Sequence, residues 1–279
     1  MPSILRTIFK SDSKRSSKKS AAAPTATEVK VTAVKASEVT QVSFAPSYPE
    51  NDHPSHTFDA LVKSDTQLAA LSGHHYSKAV NAERVNTTKT ALEANGFKVH
   101  LVNSRGEAFE TVKSLIPAGA SINNAHSTTL EEIGFVTYLK GETEWNNVHA
   151  QILAEKDFAK QWELRRTIGS TVDYFLTSMS AITEDGKLAH ADLSGSKVGG
   201  VAFGAKNVIV VAGSNKIVKD EGEAQQRIDG FALAAEGARA RDAYGVAASD
   251  IAHYEVIRKA NPYFPGRIQV VLINDSLGF

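Results

Sequence analysis

Three short segments gather hydroxyls, amides, carboxylates and amines at close spacing. The first runs Asn123-Asn124-Ala125-His126-Ser127-Thr128-Thr129-Leu130-Glu131-Glu132-Ile133-Gly134. Ser127, Thr128 and Thr129 precede an apolar, acidic run that reads as a helix. Hydroxyls at a helix start bond its unpaired N–H groups, and Thr128 with Glu131, or Thr129 with Glu132, satisfies a capping box. The same hydroxyls, together with free amides, also suit a small anion. The second segment, Thr183-Glu184-Asp185-Gly186, leads to Asp192-Leu193-Ser194-Gly195-Ser196-Lys197. Asp185-Gly186 is a hairpin signal because both residues tolerate positive φ. Glu184, just before the turn, is a candidate acid/base, and Asp192 is a second. Asp192 equally reads as a helix cap. Ser194, Gly195 and Lys197 then form a loop able to face a carboxylate or phosphate, with Lys197 as counter-charge. The third segment places Asn215 and Lys216 just beyond the apolar run Val208–Ala212.

These segments need a scaffold of strands and helices. Val208–Ala212 is a continuous apolar run, as in a parallel strand buried on both faces, and Arg267–Asn274, with Ile268, Val270, Val271, Leu272 and Ile273, reads as a last buried strand. Phe97–Leu101, Ala120–Asn123 and Val172–Thr177 read as further strands, and Ala181–Thr183 with Lys187–Ala191 as a hairpin. Helices are expected over 107–116, 129–135, 155–168, 221–235 and 249–259. Alternation through one unbroken stretch predicts a single layered α/β domain from about residue 58 to 279. Open sheets of this kind bind ligands beyond the carboxyl ends of their strands.

Composition removes several chemistries. The 279 residues contain no cysteine, which excludes disulfides, thiolate catalysis and cysteine-held metals. No run approaches the roughly 18 apolar residues of a membrane span. No Gly-x-Gly-x-x-Gly loop follows a strand, so a self-contained dehydrogenase is not expected. His74, His75 and His126 lie at no metal-ligand spacing to a carboxylate, and neither metal nor cofactor is expected. Asn86-Thr87-Thr88 fits a glycosylation sequon, a chance match without a secretory signal.

The net charge is zero, but its distribution is uneven. Residues 1–35 carry eight Lys/Arg and two Asp/Glu, a net of +6, so the remainder carries −6. An acidic body argues against nucleic-acid binding. Residues 1–51, rich in Ser, Ala, Thr, Lys and Pro, have the composition of a disordered tail. Ile4, Leu5, Ile8 and Phe9 share a helical face, followed by Lys14, Arg15, Lys18 and Lys19. The start reads as a mitochondrial transit peptide, or as a solvated basic tail on a cytoplasmic protein.

The motifs together resemble the LUD domain, the family of lactate-utilisation C subunits. That family's Ser-Thr-Thr-Leu-x-Glu-x-Gly pattern matches Ser127–Gly134, and its Ala-Ile-Thr-Glu-Asp-Gly hairpin matches Ala181–Gly186. Its Asp-x-x-Gly-Asn-Arg matches Asp192–Lys197, with Ser196-Lys197 in place of Asn-Arg. Gly204 stands for the glycine before an apolar strand, and Asn215–Val218 matches Asn-Lys-Ile-Val. The resemblance spans Tyr76 to Phe279. Many relatives carry a cysteine cluster where this chain has Arg258–Arg267. The resemblance implies a Rossmann-like, mostly parallel sheet similar to the ribose-phosphate isomerase, CoA-transferase and methenyl-folate synthetase group. It also implies a link to oxidation of lactate or another small carboxylate, with redox centres in partner subunits. The expected function is therefore a small-anion-binding accessory or regulatory subunit. The other reading is a free-standing isomerase, acyl-transfer or cyclo-ligase enzyme using Glu184 or Asp192.

Overall fold

A computed structural model describes residues 56–279, so the expectations for the 1–51 tail lie outside the described residues. The strands are β1 (Lys98–Val102), β2 (Ser121–Asn124), β3 (Asn146–Asn147), β4 (Tyr174–Thr177) and β5 (Ala181–Thr183). They continue as β6 (Leu188–Asp192), β7 (Asn207–Gly213), β8 (Ile217–Val218), β9 (His253–Ile257) and β10 (Ile268–Ile273). The helices are α1 (Phe58–Ser64), α2 (Ala82–Ala94), α3 (Arg105–Leu115), α4 (Thr128–Glu132) and α5 (Phe135–Leu139). After these come α6 (Val148–Ala154), α7 (Phe158–Arg166), α8 (Ser196–Gly199), α9 (Glu221–Arg227) and α10 (Leu233–Tyr244).

A six-stranded sheet runs in the order β1-β10-β7-β4-β2-β3, and every neighbouring pair is parallel. The apolar runs of β7 and β10 explain its centre. Side chains alternate across a strand, so Val208, Val210 and Ala212 join Val270, Leu272 and Phe175 in one core. Ile209 and Val211 join Val271, Ile273 and Leu176 in the other, on the opposite face. A Rossmann-like layered α/β architecture follows.

A second sheet, β8-β5-β6-β9, is mixed. Its hairpin turns at Asp185-Gly186 as the sequence predicts, and it packs with Phe231, Ala235 and Ala238 of the long helical stretch. Gly186 has φ of 81°, and a Cβ there would lie 2.4 Å from the Ala91 carbonyl carbon. Only glycine lets this turn approach α2.

Two expectations are corrected. Residues 249–259 do not form a helix, because 253–257 pair antiparallel with β6 as β9, setting His190 across from Glu255. The β-branched and aromatic composition there fits a pleated edge, and the partner strand decides. The 221–235 helix continues to Tyr244 through a π-helical segment, Ile228–Ala232. Gly245 stops it in the left-handed conformation (φ 66°).

Candidate functional site

Four adjacent strands of the large sheet end side by side, and each delivers polar groups. β2 delivers Asn124 and then Ser127–Thr129. β4 is followed by Ser178, β7 by Asn215 and Lys216, and β10 by Leu277 and Gly278. Their proximity thus follows from the parallel register.

Lys216 is 1% exposed. Its Nζ lies 3.0 Å from Thr129 Oγ1 and 2.9 Å from Ser178 Oγ. Burial pushes the Lys216 ammonium well below its ordinary pKa, and the charges of Arg227 and Lys197 act in the same direction, whereas Glu132 opposes them. Asn215 has a different task. Its Oδ1 accepts from the Leu277 N–H and its Nδ2 donates to the Gly278 carbonyl, both at 3.1 Å. Gly278 N–H in turn donates to Glu132 Oε1. The 277–278 segment is thereby fastened over Lys216.

The three hydroxyls of the first motif divide their work. Ser127, not Thr128 or Thr129, caps α4, accepting from the Leu130 N–H. Neither expected capping-box pair forms, because the helix starts one residue earlier. Thr129 faces Lys216. Thr128 Oγ1 and Asn124 Oδ1 are buried without a hydrogen-bond partner among the described residues.

Lys197 and His126 lie beside this cluster, each within electrostatic reach of the other and of Arg239. The His126 side chain is 37% exposed and 3.6 Å from Glu131. Even so, desolvation is the largest influence on it and holds its pKa well below the ordinary histidine value. Lys197 is also part-exposed, and desolvation likewise lowers its pKa. Both side chains are thus partly enclosed by protein. Arg239 is bonded to Glu236. Lys197 Nζ has no hydrogen-bond or ion-pair partner among the described residues.

Asp192 serves the loop itself. One oxygen accepts from the N–H and the hydroxyl of Ser194, and the other from the Lys197 N–H at 2.8 Å. Gly195, at φ 78°, permits the turn into α8. The hairpin register sets Ala181 across from Ala189, so Asp192 returns to the end of β5 near Ser178. Glu184 lies at the other end of that hairpin and pairs with Arg84 of α2. The structure does not bring it to Lys216 or Lys197.

Ser178 and Arg239 carry much of this arrangement without having been singled out, and Glu132 holds the Gly278 N–H rather than capping α4. For Ser178 a signal existed: a hydroxyl directly after an apolar strand. A separate cavity of about 140 Å³, lined by Val201, Glu255, Phe264 and Arg267, includes none of the cluster. Among the described residues no group of three or more His, Asp or Glu is placed to hold a metal. Nor is any helix there long and apolar enough to cross a membrane.

A parallel sheet whose central strands all deliver polar residues at their carboxyl ends defines a layered α/β protein of Rossmann-like type. The LUD domain family model matches residues 85–273, and the chain belongs to that family, which is associated with lactate utilisation. The crystal structure of a DUF162 family protein from Deinococcus radiodurans, at 1.70 Å resolution, is similar at 13% identity. The alignment covers 69% of this chain and 97% of that one, with a TM-score of 0.38. No curated protein matches.

Proposed function

We propose that this chain binds a small carboxylate or phosphate and serves as an accessory or regulatory subunit in the oxidation of lactate or a related organic acid. The observation that carries the reading is Lys197, a desolvated, part-exposed amine with no acceptor of its own among the described residues. A cation in that setting favours an anionic guest. Thr128 Oγ1 and Asn124 Oδ1, in the first motif, are buried and unpartnered. Asp192 and Ser194 order the loop that presents Lys197. The accessory role rests on the family association and on a chain without cysteine. It implies redox partner subunits that co-purify with the chain.

Calorimetric titration with lactate, glycolate and inorganic phosphate tests the anion site. Replacing Lys197 by Ala removes one charge-assisted hydrogen bond, worth about 1.5–3 kcal/mol, or roughly tenfold to a hundredfold in affinity. The melting temperature should stay nearly constant. Unchanged affinity in a folded Lys197→Ala protein would refute the site.

The compartment is read from the N-terminal residues alone, and we place the protein in the mitochondrial matrix, the cytoplasm being the other reading. Residues 1–30 fused to a fluorescent reporter should direct it to mitochondria. A diffuse signal would return the segment to a plain basic tail.

A further inference from the structure

Ser178, Lys216 and Thr129 form a closed triangle of polar atoms: 2.9 Å from Lys216 Nζ to Ser178 Oγ, 3.0 Å from Nζ to Thr129 Oγ1, and 3.3 Å between the hydroxyls. Lys216 has no carboxylate at ion-pairing distance among the described residues; Glu132, its nearest electrostatic influence of that sign, pairs with Arg105 and Gly278 N–H. An ammonium offers three protons, and here it meets only two hydroxyl oxygens. Ser178 Oγ also donates to the Met179 carbonyl at 3.3 Å; with the amine neutral, its lone pair can take that serine proton instead while an N–H donates to Thr129. Burial without a counter-ion acts in the same direction.

The order of exposure is also informative. Ser178 is 8% exposed, whereas Thr129 and Lys216 are each 1% exposed. Ser178 is thus the least buried residue of the three. Over the amine lies Gly278, whose Cβ position is 3.3 Å from Lys216 Nζ, held there by Asn215.

We propose that Ser178 and Lys216 are a nucleophile–base pair that cleaves the activated acyl bond of an ester or thioester of a small acid. Ser178 Oγ bonds to the acyl carbon while its proton passes to Lys216 Nζ. The carbon–oxygen or carbon–sulfur bond of the leaving group breaks, and that group takes the proton from Lys216. Water then attacks the acyl-serine, giving a proton to Lys216, which returns it to Ser178 Oγ as the acid leaves. Water is the only co-reactant, and no electrons change hands. Thr129 positions the amine. The proposal does not rest on the anion site: it stands on the Ser178–Lys216–Thr129 geometry, and its test reads covalent labelling of Ser178 rather than anion affinity.

A fluorophosphonate probe, which phosphonylates activated serines with loss of fluoride, tests it on the full chain. Peptide mapping by mass spectrometry should find the adduct on Ser178, and Ser178→Ala should abolish it. Lys216→Met should slow labelling about a hundredfold or more, the lower bound of a general base, with circular dichroism and melting temperature retained. The native protein supplies a second readout that does not depend on a variant folding. Its labelling rate should rise with pH and level off well below the ordinary lysine range, about 10.4. An adduct absent from Ser178 overturns the proposal. So does a native rate without such a titration, or a folded Lys216→Met protein labelled as fast as the parent, and Lys216 is then a structural plug.

Discussion

Gly278 covers Lys216 at a distance no other residue could keep. Its φ is 58°, and a Cβ there would stand 2.3 Å from Thr129 Oγ1 and 3.0 Å from the Thr129 amide nitrogen. Thr129 cannot withdraw freely, since its hydroxyl is bonded to Lys216. Gly278→Ala should therefore combine a left-handed backbone cost of about 1–2 kcal/mol with an overpacking cost of about 1–3 kcal/mol. Gly245 provides the comparison, with φ of 66° and nothing within 4 Å of its Cβ position. Gly245→Ala should show only the first cost. Urea melts of both variants separate the contributions, and equal losses would mean that the close approach over Lys216 does not exist in solution. At this scale the sequence is an uneven guide. Asn215 and Lys216 are conspicuous together, yet one clamps a backbone segment and the other meets two hydroxyls. Spacing along the chain carries no information about which partner each will find.

Elements were more legible where a local rule decides them. The runs within β7 and β10 are apolar at nearly every position, Asn207 and Gln269 apart, so burial on both faces was readable. The Asp185-Gly186 turn was readable too, from the positive φ that glycine accepts there. Where pairing with a distant segment decides, the reading failed. Residues 253–257 have helix-like flanks, but β6 offers an edge that His253–Ile257 completes. The helix expected over 221–235 runs on to Tyr244. Its chain bulges by one residue around Gly230, in the π-helical Ile228–Ala232 segment, and continues. Gly204 illustrates a motif glycine with a steric cause, since a Cβ there would lie 2.2 Å from the Ser170 carbonyl oxygen. The sheet order was not readable at all. It is the order that sets Ser178 between Thr129 and Lys216, so a residue the motifs pass over ends at the centre of the cluster.

For the whole molecule, partly and fully buried histidines make the response to acid begin near neutral pH, with the depressed carboxylates Asp65, Asp173, Asp185 and Glu221 adding to it at lower pH. Burial is the first cause that lowers His149 to about 4 and His190 to about 3, and it also holds His126 well below the usual value. An unfolded chain binds protons at these groups near pH 6.5, before the folded protein does. Stability from each is therefore complete above about 6.5 and is lost as pH falls toward the folded value, by at most about 1.4 kcal/mol per pH unit for one proton. Glu131, Glu132 and Glu255 oppose this, because burial raises their pKa values and the folded state then holds the extra protons. A single variant isolates one histidine from that background. His149 is the cleanest choice: its ring meets Asn123 Oδ1 at 3.3 Å, and the charge that acts on it is that of Arg165, with the Asn124 backbone opposing. His190, by contrast, faces Glu255, whose titration would change with it. His149→Gln keeps a polar group against Asn123 but binds no proton. Its stability, measured by urea unfolding at successive pH values, should differ from the parent by a constant above about pH 6.5. From there down to about 4, the folded pKa of His149, the parent should lose stability faster and the two curves should converge. Curves that stay parallel across that window would mean that His149 gains its proton as easily folded as unfolded, and the desolvated environment assigned to it would be wrong.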